Sequence, residues 1–169
     1  IWSGSWYLML LAGADANRAL FFARLLNLGA TLIPVFYLHW VSSLINHHKI
    51  SKRLIVLCYI VTAIFVAISF SDLYVSGVRP ISLFPYWPIA GTIHQLFLAV
   101  GYFGFVAYTV AMIIKELRVS TGHKKYQLGY VLAGSFFGFI GGATNFPLMY
   151  DFSVVQPVGL LVGIFATVA

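Results

Sequence analysis

Six long stretches of this sequence contain no Lys, Arg, Asp or Glu, and short polar segments separate them. They cover residues 1–14, 25–45, 54–71, 89–114, 126–150 and 157–169. A helix needs about 20 apolar residues to cross the hydrocarbon core of a bilayer. The pattern therefore predicts an all-α fold, a polytopic transmembrane helix bundle with six spans that forms a single domain over residues 1–169.

The first and last of these segments, residues 1–14 and 157–169, are the shortest. Because a span takes about 20 residues, we expect both to belong to helices that continue beyond the given sequence. The last helix would then lead to a further domain after residue 169.

The composition favours a membrane protein over a soluble one. Hydrophobic residues make up 61% of the chain and charged residues 8%, whereas soluble domains average about 45–50% and about 25%. The ten Lys and Arg and the four Asp and Glu residues are too few to coat a water-facing surface. Soluble enzymes, disordered chains and disulfide-rich scaffolds are therefore excluded, and the single cysteine, Cys58, is interpreted as a small apolar residue within a span.

The formal net charge of +6 is concentrated in two loops. Seven of the ten Lys and Arg residues lie in residues 46–53 and 115–125, which two spans separate. Because short basic loops are retained in the cytoplasm, these two loops are predicted to be cytoplasmic. Loops 15–18, 72–88 and 151–156 are then predicted to lie outside the cell membrane. The excess of basic residues therefore indicates the membrane topology of the chain, and nucleic acid is not expected as a partner.

The predicted outer loop over residues 72–88 is rich in proline and aromatic residues. The prolines are Pro80, Pro85 and Pro88, and the aromatic residues next to them are Phe84, Tyr86 and Trp87. A helix cannot continue through prolines at this spacing, and amphipathic aromatic side chains favour the membrane–water boundary. We expect a loop that lies partly in the interface.

Glycines recur at every fourth position in the last two spans. They are Gly134, Gly138 and Gly142 in one span and Gly159 and Gly163 in the other. Small residues at this spacing let helix backbones approach closely in lipid. We predict helix packing within the chain at these positions, with dimerisation through the same face as the alternative.

Six polar residues near the predicted outer ends of the spans are candidate ligand-binding residues: Arg24, Asn27, Thr92, His94, Gln95 and Asn145. For Arg24, two interpretations stay open. The arginine snorkels to the outer interface, or it binds an anionic ligand together with Asn27, which is about one turn away. His94 with Thr92 and Gln95 is the best candidate for an outer pocket, and a hydrogen-bonded packing histidine is the alternative.

Residues 141–147, with the sequence GGATNFP, carry the signals of an interrupted helix. Pro147 removes a backbone donor, and two glycines loosen the turn before it. One interpretation is a break that exposes backbone groups and the Asn145 amide to a polar cavity. The other is a helix that ends at the outer surface, and both stay open.

No metal, cofactor or catalytic residue is predicted. His39 and His94 lie at depths that differ by more than about 12 Å, so they cannot share one metal. Glu116 is the only acid in the predicted cytoplasmic loops, which argues against acid–base catalysis there, and no lysine lies in a span to form a Schiff base. A metal cluster of Asp15, Asp72 and Asp151 is the less favoured alternative.

Several short motifs occur in an order that covers nearly the whole chain. They are an aromatic helix end from Trp2, FFARL at 21–25, Gly29, Ile33–Pro34, GFIGGATNFP at 138–147 and PVG at 157–159. In this order and spacing they resemble the seven-transmembrane input region at the N terminus of bacterial sensor histidine kinases. The resemblance is strongest over residues 138–147.

The resemblance implies that the six segments correspond to the second to seventh helices of a seven-helix domain with a cytoplasmic C terminus. It implies a signal-transduction receptor of a two-component system, which relays a ligand or membrane stimulus to a kinase or another signalling domain. It also implies a homodimer of the full-length protein in the lipid bilayer. The fragment itself is not expected to be an enzyme. The alternative is a small-molecule transporter or another polytopic membrane protein.

Overall fold

The computed structural model describes residues 1–45, 52–81 and 84–152. It is mostly helical, at 75%. The predicted sixth span, Gly159, Gly163 and most of the loop at 46–53 lie outside the described residues.

The described elements follow one another as seven α-helices, one π-helical segment and two β-strands. They are α1 (Trp2–Leu10), α2 (Ala16–Ile45), α3 (Lys52–Ile68), β1 (Val75–Ile81), β2 (Phe84–Ala90), α4 (His94–Leu96), the π-helical segment (Phe97–Gly104), α5 (Phe105–Val119), α6 (Gly122–Ala143) and α7 (Phe146–Met149).

Among the described residues, three helical stretches are long and apolar enough to cross a membrane: Ala16–Ile45, His94–Val119 and Gly122–Met149. They confirm the coarser prediction, a mostly helical chain with membrane-spanning helices. α1, with 9 residues, and α3, with 17, are shorter than a typical span of about 20. Six spans and their orientation stay predictions.

The chain divides into two compact units, residues 1–106 and 107–169. In the first unit, α2 is the central helix, since α1, α3 and the strands all contact it. α1 lies close to α2 at Gly29, where an added Cβ would lie 3.1 Å from the backbone nitrogen of Trp2. A small residue at this position lets the two backbones meet. Buried residues recur every three or four positions along one face of α2: Ala19, Ala23, Asn27, Thr31, Val35, Leu38, Ser42 and Ile45.

The segment predicted as an outer loop forms an antiparallel β-hairpin, which the all-α prediction lacked. β1 pairs with β2 so that Val78 lies opposite Pro88 and Arg79 opposite Trp87. Proline is tolerated because each strand of a two-stranded sheet has one free edge. Gly91 follows β2, and a Cβ there would lie 2.3 Å from the carbonyl carbon of Leu73, so only glycine fits.

The helix after the hairpin changes its winding within its first turns. α4 leads into eight π-helical residues, Phe97–Gly104, before α5 resumes the ordinary α-helix. π-Helical geometry is rare and mostly confined to single turns. Gly101 allows the Phe97 ring to fold over the helix, since an added Cβ would lie 2.7 Å from that ring. The predicted span at 89–114 is displaced to His94–Val119, because Ile89 and Ala90 pair with β1.

The second unit contains α6 and α7, and the interval between them lies within residues 141–147, for which the sequence leaves both a break and a helix end open. α6 ends at Ala143 and α7 begins at Phe146. Thr144 Oγ1 donates to the Gly141 carbonyl at 2.6 Å, and Asn145 Nδ2 donates to the Gly142 carbonyl at 2.9 Å. Helix ends leave their last carbonyl groups without intrahelical partners, and these two side chains donate to carbonyl groups in the last turn of α6. The Gly142 carbonyl also accepts the Asn145 backbone N–H at 3.2 Å. In the predicted glycine stripe, Gly134 is buried, while Gly138 and Gly142 are half-buried.

Candidate functional site

The start of the hairpin is fastened to α2 by the Arg24 guanidinium. Arg24 Nη2 donates to the Asp72 carboxylate and also to the Val75 carbonyl oxygen at 3.2 Å. Arg24 Nε is 3.4 Å from the same carbonyl. The Arg24 side chain is 18% exposed and the Asp72 side chain is 83% exposed. One face of this ion pair is therefore open to the surroundings, while the guanidinium itself is largely covered.

A chain of hydrogen bonds continues along the buried face of α2, one turn at a time. Asn27 Nδ2 donates to the Ala23 carbonyl at 2.9 Å, and Thr31 Oγ1 donates to the Asn27 carbonyl at 2.8 Å. The Tyr74 hydroxyl oxygen is 2.6 Å from Thr31 Oγ1. Because Thr31 has one hydroxyl proton and donates it to Asn27, the Tyr74 hydroxyl is the donor in this bond. Tyr74 is thus joined to α2 by a fully buried hydrogen bond.

Aromatic rings extend this contact to the beginning of the next helix. The Tyr74 ring centroid lies 5.2 Å from that of His94 and 5.7 Å from that of Phe97. Phe65 on α3 lies 5.6 Å from Phe97. These distances are within the range of favourable aromatic contacts. We call Arg24, Asn27, Thr31, Asp72, Tyr74 and His94 the hairpin anchor.

The hairpin anchor links α2, the turn before β1 and the start of α4. His94 is fully buried in it. Hydrogen bonds join α2 to the turn before β1, and a ring contact joins that turn to α4. A displacement of one of these elements therefore changes its contacts with the others. In the described residues, no group of three or more His, Cys, Asp or Glu side chains is arranged to hold a metal ion.

The structure brings together three of the six predicted ligand-binding residues, Arg24, Asn27 and His94. Thr92 and Gln95 lie beside His94 in the chain, but their side chains are exposed while His94 is buried. The Asn27 amide donates within its own helix and is 3% exposed. Arg24 and Asn27 therefore serve separate contacts in this conformation. Asn145 belongs to the second unit.

Sequence reasoning missed Thr31 and Tyr74. Thr31 carries a weak signal, because it follows Asn27 by four residues and continues a polar line along α2. Tyr74 carries none, since an aromatic residue after Asp72 fitted the expected interfacial loop equally well.

Two further polar contacts lie outside the hairpin anchor. Glu116 on α5 accepts a hydrogen bond from Lys124 on α6 at 2.8 Å, and its side chain is only 9% exposed. His39 Nδ1 lies 2.8 Å from the Tyr59 hydroxyl oxygen, which joins α2 to α3. Glu116, the only acid in the predicted cytoplasmic loops, thus has a partner across the α5–α6 turn.

No protein-family model, curated protein or solved structure matches this chain. The resemblance to the input region of sensor histidine kinases therefore stays a prediction from the sequence motifs.

Proposed function

We propose that this chain is the membrane-embedded sensory input region of a bacterial signal-transduction receptor, whose cytoplasmic output is a histidine kinase or a related signalling enzyme. Sequence motifs and the concentration of basic residues in two loops support the proposal. The structural observation that carries it is the hairpin anchor. A hairpin predicted to face outward is tied to the long helix α2 by Arg24, which binds both Asp72 and the Val75 carbonyl.

The anchor offers a route from an outer stimulus to the helices. A ligand or membrane change that displaces the turn at 72–75 alters the contacts of Asp72 and Val75 with Arg24 on α2. It also alters the hydrogen bond between Tyr74 and Thr31. Packed helices respond to such changes by shifts of about 1–2 Å. The stimulus can shift the equilibrium between two arrangements of the helices only by the difference in its binding free energy for them. About 1.4 kcal/mol of difference changes the population ratio tenfold.

The test uses the intact protein in bacterial membranes, with ATP-dependent phosphorylation of the output domain as readout. Arg24→Asp and Asp72→Arg each place like charges together, and we expect each to change basal phosphorylation at least about threefold. The double variant Arg24→Asp/Asp72→Arg restores the opposite charges but not the hydrogen bonds to the Val75 carbonyl. It should return the output part of the way towards wild type. Arg18→Asp is the matched control, because Arg18 is an exposed arginine on the same helix.

Three results would overturn the receptor proposal. One is an output unchanged by either single variant, and another is a double variant no better than the singles. The third is an intact protein without any signalling domain.

Transport is the second candidate, and the interrupted helix favours it. Asn145 Oδ1 is buried at the break between α6 and α7 without a hydrogen-bond partner in the described part of the chain. Transporters place substrate or ion sites at such broken helices. Transport predicts solute accumulation by proteoliposomes that Asn145→Ala abolishes. The receptor predicts ATP-dependent phosphorylation and no accumulation.

A further inference from the structure

The turn between α5 and α6 carries an uncompensated positive charge. α5 ends at Val119 and α6 begins at Gly122. Residues 115–125 contain four Lys and Arg residues and one acid, which leaves a net charge of four minus one, or +3. Three of these cations, Lys115, Arg118 and Lys125, have exposed side chains. We call them the basic turn.

The one acid in this stretch cannot neutralise the basic turn. Glu116 is already bound to Lys124 at 2.8 Å, and 9% of its side chain is exposed. The side chains of Lys115, Arg118 and Lys125 form no ion pair or hydrogen bond within the residues that the structure describes. The first-turn N–H groups of α6 add partial positive charge, because Thr121 makes no side-chain cap there. The basic turn is therefore available to an external anion.

Exposed apolar residues border the basic turn. Val119 is 69% exposed, Tyr126 is 71% exposed and Tyr130 is 70% exposed. Tyr126 and Tyr130 are four residues apart and share one face of α6. Tyrosine is enriched where helices cross the boundary between lipid and water. A phospholipid would meet these rings with the upper part of its acyl chains.

The basic turn also lies at the ends of two helices that are apolar enough to cross a membrane, His94–Val119 and Gly122–Met149. A span that ends at this turn places its cations at the height of the lipid headgroups, which are then the nearest anions. Anionic lipids attract basic segments next to spanning helices.

We infer that the basic turn binds the headgroup phosphate of an anionic phospholipid in the surrounding leaflet, with Tyr126 and Tyr130 against its acyl chains. The inference rests on the membrane embedding that the proposed function includes, and not on the signalling output. The bound lipid holds the α5–α6 turn at the membrane surface. Lys124 stays on Glu116 and takes no part in binding.

The test measures lipid selectivity of the full chain in bilayers of phosphatidylcholine with spin-labelled phosphatidylglycerol or spin-labelled phosphatidylcholine. The fraction of each label immobilised by the protein gives the selectivity ratio. We expect a clear preference for phosphatidylglycerol, which Arg118→Gln/Lys125→Gln lowers at least about threefold. The matched control is Lys52→Gln/Arg53→Gln, which removes two exposed cations at the start of α3 and should change the ratio much less.

Several outcomes would overturn the inference. The first is a wild-type chain that shows no preference for phosphatidylglycerol. The second is an equal loss of the selectivity ratio in both double variants, which would indicate a general effect of net charge. Inorganic phosphate that displaces the labelled lipid at millimolar concentration would indicate a site for a soluble anion instead. Circular dichroism in detergent verifies that both double variants are folded. Failure of the receptor proposal would leave these results unchanged, because the readout involves no signalling domain.

Discussion

Arg24–Asp72 and Lys124–Glu116 are both ion pairs, but they differ in which partner is buried and in how far apart the partners lie in the chain. Asp72 is 83% exposed and Arg24 is 48 residues away. Glu116 is 9% exposed and Lys124 is eight residues away. The first pair joins a hairpin to a helix, and the second closes a tight turn between two helices.

The difference in burial determines what each pair contributes. An exposed carboxylate keeps most of its hydration, so its pairing is worth little and salt screens it. A buried carboxylate has lost hydration, and removal of its partner leaves that loss uncompensated. We therefore expect the stability of the α5–α6 turn to depend on the Lys124–Glu116 ion pair. The attachment of the hairpin to α2 should depend more on the buried, neutral Tyr74–Thr31 hydrogen bond than on the Arg24–Asp72 ion pair.

The largest effect is expected at the α5–α6 turn. Lys124→Met removes the Lys124 cation from the buried Glu116 carboxylate and should lower the free energy of unfolding by about 2 kcal/mol. Thermal unfolding in detergent or nanodiscs measures the change. Glu116→Gln/Lys124→Met removes the charge as well and should recover part of the loss. If the double variant is no more stable than Lys124→Met, burial of the carboxylate is not the cause.

The sequence predicted the elements whose signal is a long apolar run. The helices Ala16–Ile45, His94–Val119 and Gly122–Met149 overlap the predicted spans. α6 ends at Ala143, within the interval where Pro147 and its preceding glycines indicated either a helix break or a helix end. Both signals are local. The length of an apolar run and the absence of a backbone N–H at proline each affect only the segment in which they occur.

The hairpin and the π-helical segment could not be predicted in the same way. Proline at three positions between 80 and 88 argued against strands. Both strands of a two-stranded sheet are edge strands, however, and edge strands tolerate proline. The Tyr74–Thr31 bond joins residues 43 apart, and the Arg24–Asp72 pair is also long-range. Such pairs follow from the packing of the hairpin on α2, which no periodicity in the sequence encodes.

An intermediate effect is expected from the buried hydrogen bond of the hairpin. Tyr74→Phe removes the hydroxyl that donates to Thr31 and keeps the ring contacts with His94 and Phe97. We expect the free energy of unfolding to fall by about 1 kcal/mol. Tyr7→Phe is the control, because Tyr7 is 63% exposed on α1. Equal melting temperatures for the two variants would mean that the Tyr74 hydroxyl does not hold the hairpin.

The smallest effect on stability is expected at Asp72. Asp72→Asn removes one charge from an exposed pair, and Arg24 keeps its hydrogen bonds to the Val75 carbonyl. The free energy of unfolding should fall by about 0.5 kcal/mol or less, and the difference from wild type should shrink as salt is added. Unfolding measured at low and high ionic strength tests both statements. A larger loss of unfolding free energy than that of Tyr74→Phe would contradict this order of effects. The exposed ion pair, and not the buried hydrogen bond, would then be the main attachment of the hairpin to α2.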